Sequence, residues 1–243
     1  MEKKKALELR QVSVHYANVL ALDRVSISLE QASLTGLIGL NGSGKSTLFK
    51  ASMGVQPLSS GSIQILGQQP AQARLRGLLS YMPQNEAVDW NFPISVHEVV
   101  AMGRYRATGI TRRLGRADRQ MVAQALERVQ LTGLAQRQIG QLSGGQKKRV
   151  FMARALAQQA QIFLLDEPFA GVDQASEAML IQVLKELSQQ GKTVLVSTHH
   201  VQNLNSYANQ VILLRQRVLM QGPVSQVLQP ENLVKAFGME VES

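Results

Sequence analysis

Between residues 7 and 30 apolar and polar positions alternate, with Leu7, Leu9, Val12 and Val14 followed by Val25, Ile27 and Leu29. That two-residue period belongs to strands with one buried face and predicts an antiparallel sheet at the start of the fold. Residues 34–39 form a short apolar run that breaks into a glycine-rich turn, and 46–52 read as a helix, giving strand, loop, helix. Residues 61–67 read as another hairpin strand and 78–82 as a buried one. From 95 to 160 the pattern turns mostly helical, clearest over 121–129 and 147–158. Strand character returns at 162–165. Residues 174–190 then place Leu180, Val183, Leu184 and Leu187 on one helical face and stop at Gly191. A buried strand follows at 193–197, and this strand, helix, strand order predicts a right-handed crossover in a parallel sheet. A hairpin over 211–221 and a helical cap over 224–237, with a new segment starting at Pro230, close the pattern. The expectation is one α/β domain over 1–243, with its core at about 1–84 and 160–222, a helical subdomain at about 85–159 and a cap at about 223–243.

The turn after the first buried strand reads Gly39-Leu40-Asn41-Gly42-Ser43-Gly44-Lys45-Ser46-Thr47. It fits a phosphate loop, in which glycines let backbone N–H groups turn inward around phosphate oxygens at a helix start. Lys45 would sit against the β and γ phosphates. The Ser46 hydroxyl would ligate Mg2+, which neutralises charge as the terminal phosphoryl group departs. Further on, Ile162-Phe163-Leu164-Leu165-Asp166-Glu167 is a buried strand ending in two carboxylates, a costly arrangement unless something uses them. Asp166 suits the outer shell of Mg2+, and Glu167 the base that takes a proton from the attacking water.

Leu142-Ser143-Gly144-Gly145-Gln146 immediately precedes a helical pattern. Ser143 and its neighbouring amides therefore make a second anion-binding helix start, or an ordinary serine cap with flexible glycines. Taken together, residues 39–47, 142–146 and 164–167 resemble the Walker A, signature and Walker B elements of ABC ATPases. The resemblance covers almost the whole chain. It implies a RecA-like mixed and parallel sheet core, an N-terminal antiparallel β subdomain and a helical subdomain, with ATP and Mg2+ as ligands.

The same resemblance implies roles for four more residues. Tyr16 matches the aromatic that stacks on adenine, a contact its π-face can make without reading the base closely; alone it reads as a half-buried strand tyrosine. Gln84 matches the glutamine that touches Mg2+ and links nucleotide to a transmembrane partner. Asp173, in Ala170-Gly171-Val172-Asp173, matches the loop that crosses to a second subunit. His199 matches the switch histidine that reaches the γ phosphate. Two positions depart from the family pattern: Leu40 replaces a common proline, and His200 stands where an aspartate is usual. His200 is thus a second candidate for the switch, with His199 preferred by its register with the strand.

The family pattern further implies a head-to-tail homodimer. Each ATP would lie between one subunit's residues 39–47 and the other's Ser143, Gly144, Gly145 and Gln146. It also implies integral membrane permease subunits docking near Gln84 to Arg106. Tyr81-Met82-Pro83-Gln84, Val88-Asp89-Trp90-Asn91-Phe92-Pro93 and Val99-Val100-Ala101-Met102-Gly103-Arg104-Tyr105 are similar to the ATPases of bacterial manganese, zinc or iron importers, which are served by an extracytoplasmic metal-binding receptor. The tail, Pro230-Glu231-Asn232-Leu233 and Lys235-Ala236-Phe237-Gly238, is similar as well. Trp90 and Phe92 read equally as core residues under a loop. A siderophore, haem or vitamin importer ATPase is the alternative cargo reading. A soluble ABC ATPase acting on ribosomes or DNA is the alternative of another class, which the single set of motifs and the lack of sustained heptads disfavour.

Composition narrows the choice. The 243 residues are 44% apolar, enough for a substantial core, and contain no cysteine, which excludes disulfides, thiolate metal sites and cysteine nucleophiles. The four histidines are poorly placed for a metal site. No apolar run approaches the roughly 18 to 20 residues of a spanning helix. Residues 1–9 are charged with no apolar secretory segment behind them. The expected place is therefore the cytoplasm, peripheral on the inner face of the bacterial membrane. A net charge of +9 fits a nucleotide or an anionic membrane. Nucleic acid is not expected, because no Arg-Lys tract alternates with exposed aromatics. The basic run from Arg104 to Arg119 would suit lipid headgroups.

Overall fold

Strands β3 (Leu34–Ile38), β6 (Ile162–Asp166) and β7 (Thr193–Ser197) are buried at every position. Their mostly apolar sequences, broken by Thr35, Thr193, Ser197 and Asp166, follow from a sheet covered on both faces. Successive side chains enter different cores, since the pleat sends neighbours to opposite faces. Ile162 and Leu164 join one apolar cluster, Phe163 and Leu165 the other. The computed structural model describes residues 4–84, 89–109, 113–199 and 201–237.

The main sheet runs β5 (Leu79–Met82), β6, β7, β3, β8 (Gln210–Arg215), β9 (Arg217–Pro223). Its first five strands are parallel and β9 returns antiparallel. The opening alternation forms β1 (Lys5–Tyr16) and β2 (Val19–Glu30), paired antiparallel. The strand expected at 61–67 is β4 (Ser60–Ile65), but it makes no hairpin with a sequence neighbour. It pairs with β1, giving the order β2-β1-β4.

One apolar cluster lies between this small sheet and the main one, and it includes Leu48 and Phe49 of α1 (Lys45–Ser52). The other holds α3 (Val96–Ala101), α4 (Arg116–Arg128), α5 (Gly144–Ala157) and α6 (Gln174–Gln189) against the opposite face. Helix α5 buries Val150 through Ala153 and Ala155 through Ala157, the pattern of a helix surrounded by protein. Helices α4 and α5 start earlier than their apolar periodicity, because their first turns are polar. Helix α2 (Pro70–Leu75) is absent from the sequence reading: it is six residues long and buries only Ala73, too little to show a period. The helical pattern over 224–237 corresponds to α7 (Val224–Val227) and α8 (Pro230–Phe237). Among the described residues no helix is long and apolar enough to cross a membrane.

Candidate functional site

Four parallel strands point their C-terminal ends at one place. After β3 comes the loop from Gly39, after β5 Gln84, at the end of β6 Asp166 followed by Glu167, and at the end of β7 Ser197, which leads to His199. Ligands of open α/β sheets bind at this edge, because loops there are free to vary while the strands fix their bases.

Helix α1 begins without a side-chain cap. Gly44 at its N-cap has φ 100° and ψ 5°, a left-handed conformation that only glycine takes easily. The first amides of α1 thus receive no side-chain acceptor from the cap, and the helix dipole adds positive potential there. A cavity of about 460 Å3 opens in front of it, lined among others by Tyr16, Asn41, Gly42, Ser43, Thr47 and Glu167. A side chain added at Gly42 would meet nothing within 4 Å. The Ser43 hydroxyl is buried with no hydrogen-bond partner among the described residues. Tyr16, 41% exposed, stands at the rim as a flat ring.

Two charged networks meet behind the loop. Lys45 Nζ donates to Gly39 O at 2.7 Å and Leu40 O at 3.3 Å, and lies 3.9 Å from Glu167 Oε1. Glu167 Oε2 shares a 2.9 Å hydrogen bond with His199 Nδ1. Lys45 and Glu167 are nearly dry whereas the His199 side chain is 59% exposed, so the histidine links a buried carboxylate to solvent. The second network centres on Asp166, which is 1% exposed. Ser46 Oγ donates to its Oδ2 at 2.6 Å, and Ser197 Oγ donates to its Oδ1 at 2.6 Å. Sequence reasoning missed Ser197, whose hydroxyl also accepts the Glu167 N–H at 2.9 Å and so holds both acids. The available signal was one serine at the end of a strand whose core is apolar. Glu167 itself has φ 51°, an uncommon conformation outside glycine that these contacts hold in place.

These groups fit a hard divalent cation beside phosphate. Ser46 and Gln84 bring oxygens to the cavity and Asp166 stands directly behind Ser46. Among the described residues no three His, Cys, Asp or Glu cluster as a complete metal cage. Mg2+ is commonly held in this way, by one or two protein groups with waters and phosphate oxygens completing the shell. Gln84 also lines a second cavity of about 320 Å3 with Glu167 and His199. His200 lies outside the described residues.

Ser143, Gly144, Gly145 and Gln146 line neither cavity. Ser143 caps α5, accepting the Gln146 N–H at 3.2 Å, while Gln146 Oε1 accepts the Ser143 N–H at 3.0 Å. This capping box satisfies amides reciprocally. The neighbour of this turn is the loop before α6. A side chain at Gly145 would come within 3.6 Å of Gly171 O and 3.9 Å of Asp173 Oδ2. Asp173 caps α6, accepting from Ser176 N at 2.9 Å and Ser176 Oγ at 2.8 Å. Those two hydrogen bonds hold its carboxyl below the usual range. The predicted residues therefore divide into two groups: Tyr16, the loop, Gln84, Asp166, Glu167 and His199 in one, Ser143 to Gln146 with Asp173 in the other.

A phosphate loop after β3 on a doubly covered parallel sheet, with paired acids at the end of β6 across the intervening β7, defines an ATP-binding α/β ATPase. The family model described as ABC transporter matches residues 22–170, well over half of the chain, and the protein belongs to that family. It is 46% identical over 228 residues to the manganese transport system ATP-binding protein MntA of Synechocystis sp., covering 93% of this chain and 88% of that one. It is 45% identical to the chelated iron transport system membrane protein YfeB of Yersinia pestis, covering 96% and 79%. Among solved structures it superposes with TM-score 0.84 and 30% identity on a metal-chelate type ABC transporter in an inward-facing conformation, covering 97% of this chain and 90% of that one.

Proposed function

We propose that this chain is the ATP-hydrolysing subunit of a membrane importer for a transition metal ion, manganese, iron or zinc, and that it works as a homodimer. The observation that carries the reading is the separation of the two helix starts. One, at Gly44, is uncapped and opens on a cavity; the other, at Ser143, lines no part of that cavity. A second copy placed head to tail would bring its Ser143 turn to the phosphates that the first copy's loop holds.

In this reading the loop amides and Lys45 bind the triphosphate, with Lys45 exchanging the Gly39 and Leu40 carbonyls for phosphate oxygens, and Tyr16 stacks on the adenine. Ser46, Gln84 and Asp166 would hold Mg2+, which supplies charge neutralisation on the phosphates. Glu167 orients the attacking water and takes its proton. Ser197 keeps that carboxylate and Asp166 in register, and His199 senses the terminal phosphate beside it. Loss of that phosphate removes the contact both copies share, and the pair opens.

Permease subunits would receive the motion near Gln84 to Arg106. A groove of about 410 Å3 in this region has Tyr81, Met102 and Gly103 beside Arg74, Arg106 and Arg154, a surface suited to a helix of a partner. Phe92, 59% exposed, and Tyr105, 37% exposed, are apolar surface of the same stretch. Docking there places the chain on the inner face of the membrane, with the extracytoplasmic receptor as an indirect partner. The metal cargo rests on the named relatives. Replacing Glu167 tests motor and cargo together. The purified Glu167→Gln chain should bind ATP, lose turnover and collect as an ATP-bound dimer, and cells carrying it should lose uptake of one of the three metals. Normal hydrolysis would place the base elsewhere, and unchanged uptake of all three metals would remove the cargo.

A further inference from the structure

Helix α5 carries Lys147 and Lys148 close to its N-terminus, the end where the helix dipole disfavours cations, and its first turn holds no acid to offset them. Both lysines reach the same strand-end segment. Lys148 Nζ donates to the backbone carbonyl of Gln84. Lys147 Nζ stands 4.2 Å from the centre of the Trp90 ring, a cation–π contact. Trp90 in turn lies edge-on against Phe151, one helical turn beyond Lys147, with centroids 6.1 Å apart. Helix α5 therefore grips Gln84 and Trp90, on either side of positions 85–88, with consecutive residues. Gln84 lines both cavities beside Glu167, while the opposite attachment of the same helical turn is Ser143 to Gln146.

We propose that Lys147 and Lys148 are positioning residues that set Gln84 according to where α5 stands. Displacement of α5 by whatever meets Ser143 to Gln146 is then felt at the phosphate site through the Lys148–Gln84 bond. This rests on the proposed function for the meaning of Gln84, but the contacts themselves do not.

The chain's single tryptophan makes the clamp visible. In the purified full chain, ATP should shift Trp90 emission, and Lys148→Met should abolish that shift while ATP affinity by calorimetry stays the same. Turnover by Lys148→Met should fall about tenfold in kcat with KM for ATP unchanged, the size of one charge-assisted hydrogen bond acting in the transition state. Lys148→Arg, which keeps the donor, should recover most of the rate. Lys147→Met should alter Trp90 emission before ATP is added. Wild-type kcat and an intact emission shift in Lys148→Met would overturn the clamp alone. Equal losses in Lys148→Met and Lys148→Arg with a lowered melting temperature would overturn it too, as mere packing. A wild-type chain without ATP turnover would overturn the functional reading and the clamp together.

Discussion

Helices α1 and α5 both start beside glycine and both carry lysine early, yet their N-termini solve opposite problems. At α5 the amides are satisfied from within, by Ser143 and Gln146 acting reciprocally. At α1 the cap is Gly44 in a left-handed conformation, with no side-chain hydrogen bond. An uncapped start whose neighbouring Ser43 hydroxyl is buried and unpaired is suited to a bound anion, because phosphate supplies both the acceptors and the negative charge. A capped start is stable by itself and can present a fixed surface to something outside. The contrast teaches that two turns with similar glycine content can be a ligand cradle and a contact face, and that capping tells them apart.

The sharpest break of this comparison is Lys45→Ala. Nucleotide affinity by calorimetry should fall on the order of a hundredfold, since a buried ammonium is removed from a polyanion site. An equal affinity would mean that α1 is no cradle. Paired glycine substitutions come next. Gly44→Ala would put a methyl 2.6 Å from Leu22 Cδ2 and 2.7 Å from Ala21 O at φ 100°, so unfolding by denaturant should show a loss of about 1–3 kcal/mol. Gly144→Ala meets nothing within 4 Å and should leave stability equal or raise it by up to about 1 kcal/mol, as alanine favours the helix. ATP-driven dimerisation of that variant should nonetheless weaken, and full dimerisation would argue against the contact face.

Ser143→Ala should cost about 1 kcal/mol of stability, the usual worth of a cap, without changing the ATP affinity of a single copy. Lost affinity there would join the two starts into one site. The smallest effect concerns Asp173. Its carboxyl is depressed by the Ser176 hydrogen bonds, so the α6 cap is fully present above the unfolded carboxylate range and is lost as pH falls through the lower folded value. Melting temperatures of wild type and Asp173→Ala should differ at neutral pH and converge in acid. A constant difference would detach the cap from the carboxylate charge.

Much of this was legible along the chain because the signals are local. A strand buried on both faces must be mostly apolar, a glycine-rich break before Lys45 must turn, and Asp166 with Glu167 at a buried strand end must be used. Ser197 was not legible, because nothing around a strand serine says that the Asp166 carboxylate lies within 2.6 Å across the sheet. Helix α2 was not legible because six residues with one buried side chain carry no period.

The sequence by itself determined where most helices and strands form and which turns have phosphate chemistry, since backbone hydrogen bonding and side-chain period act over a few residues. Tertiary structure alone decided that β4 would leave its neighbours and pair with β1, that strands 5, 6, 7, 3 and 8 would stand side by side, and that the Ser143 turn would face Asp173 instead of the cavity. Such outcomes depend on apolar surfaces and charges brought together from distant parts of the chain, and burial rewards many partners almost equally until the whole core is assembled.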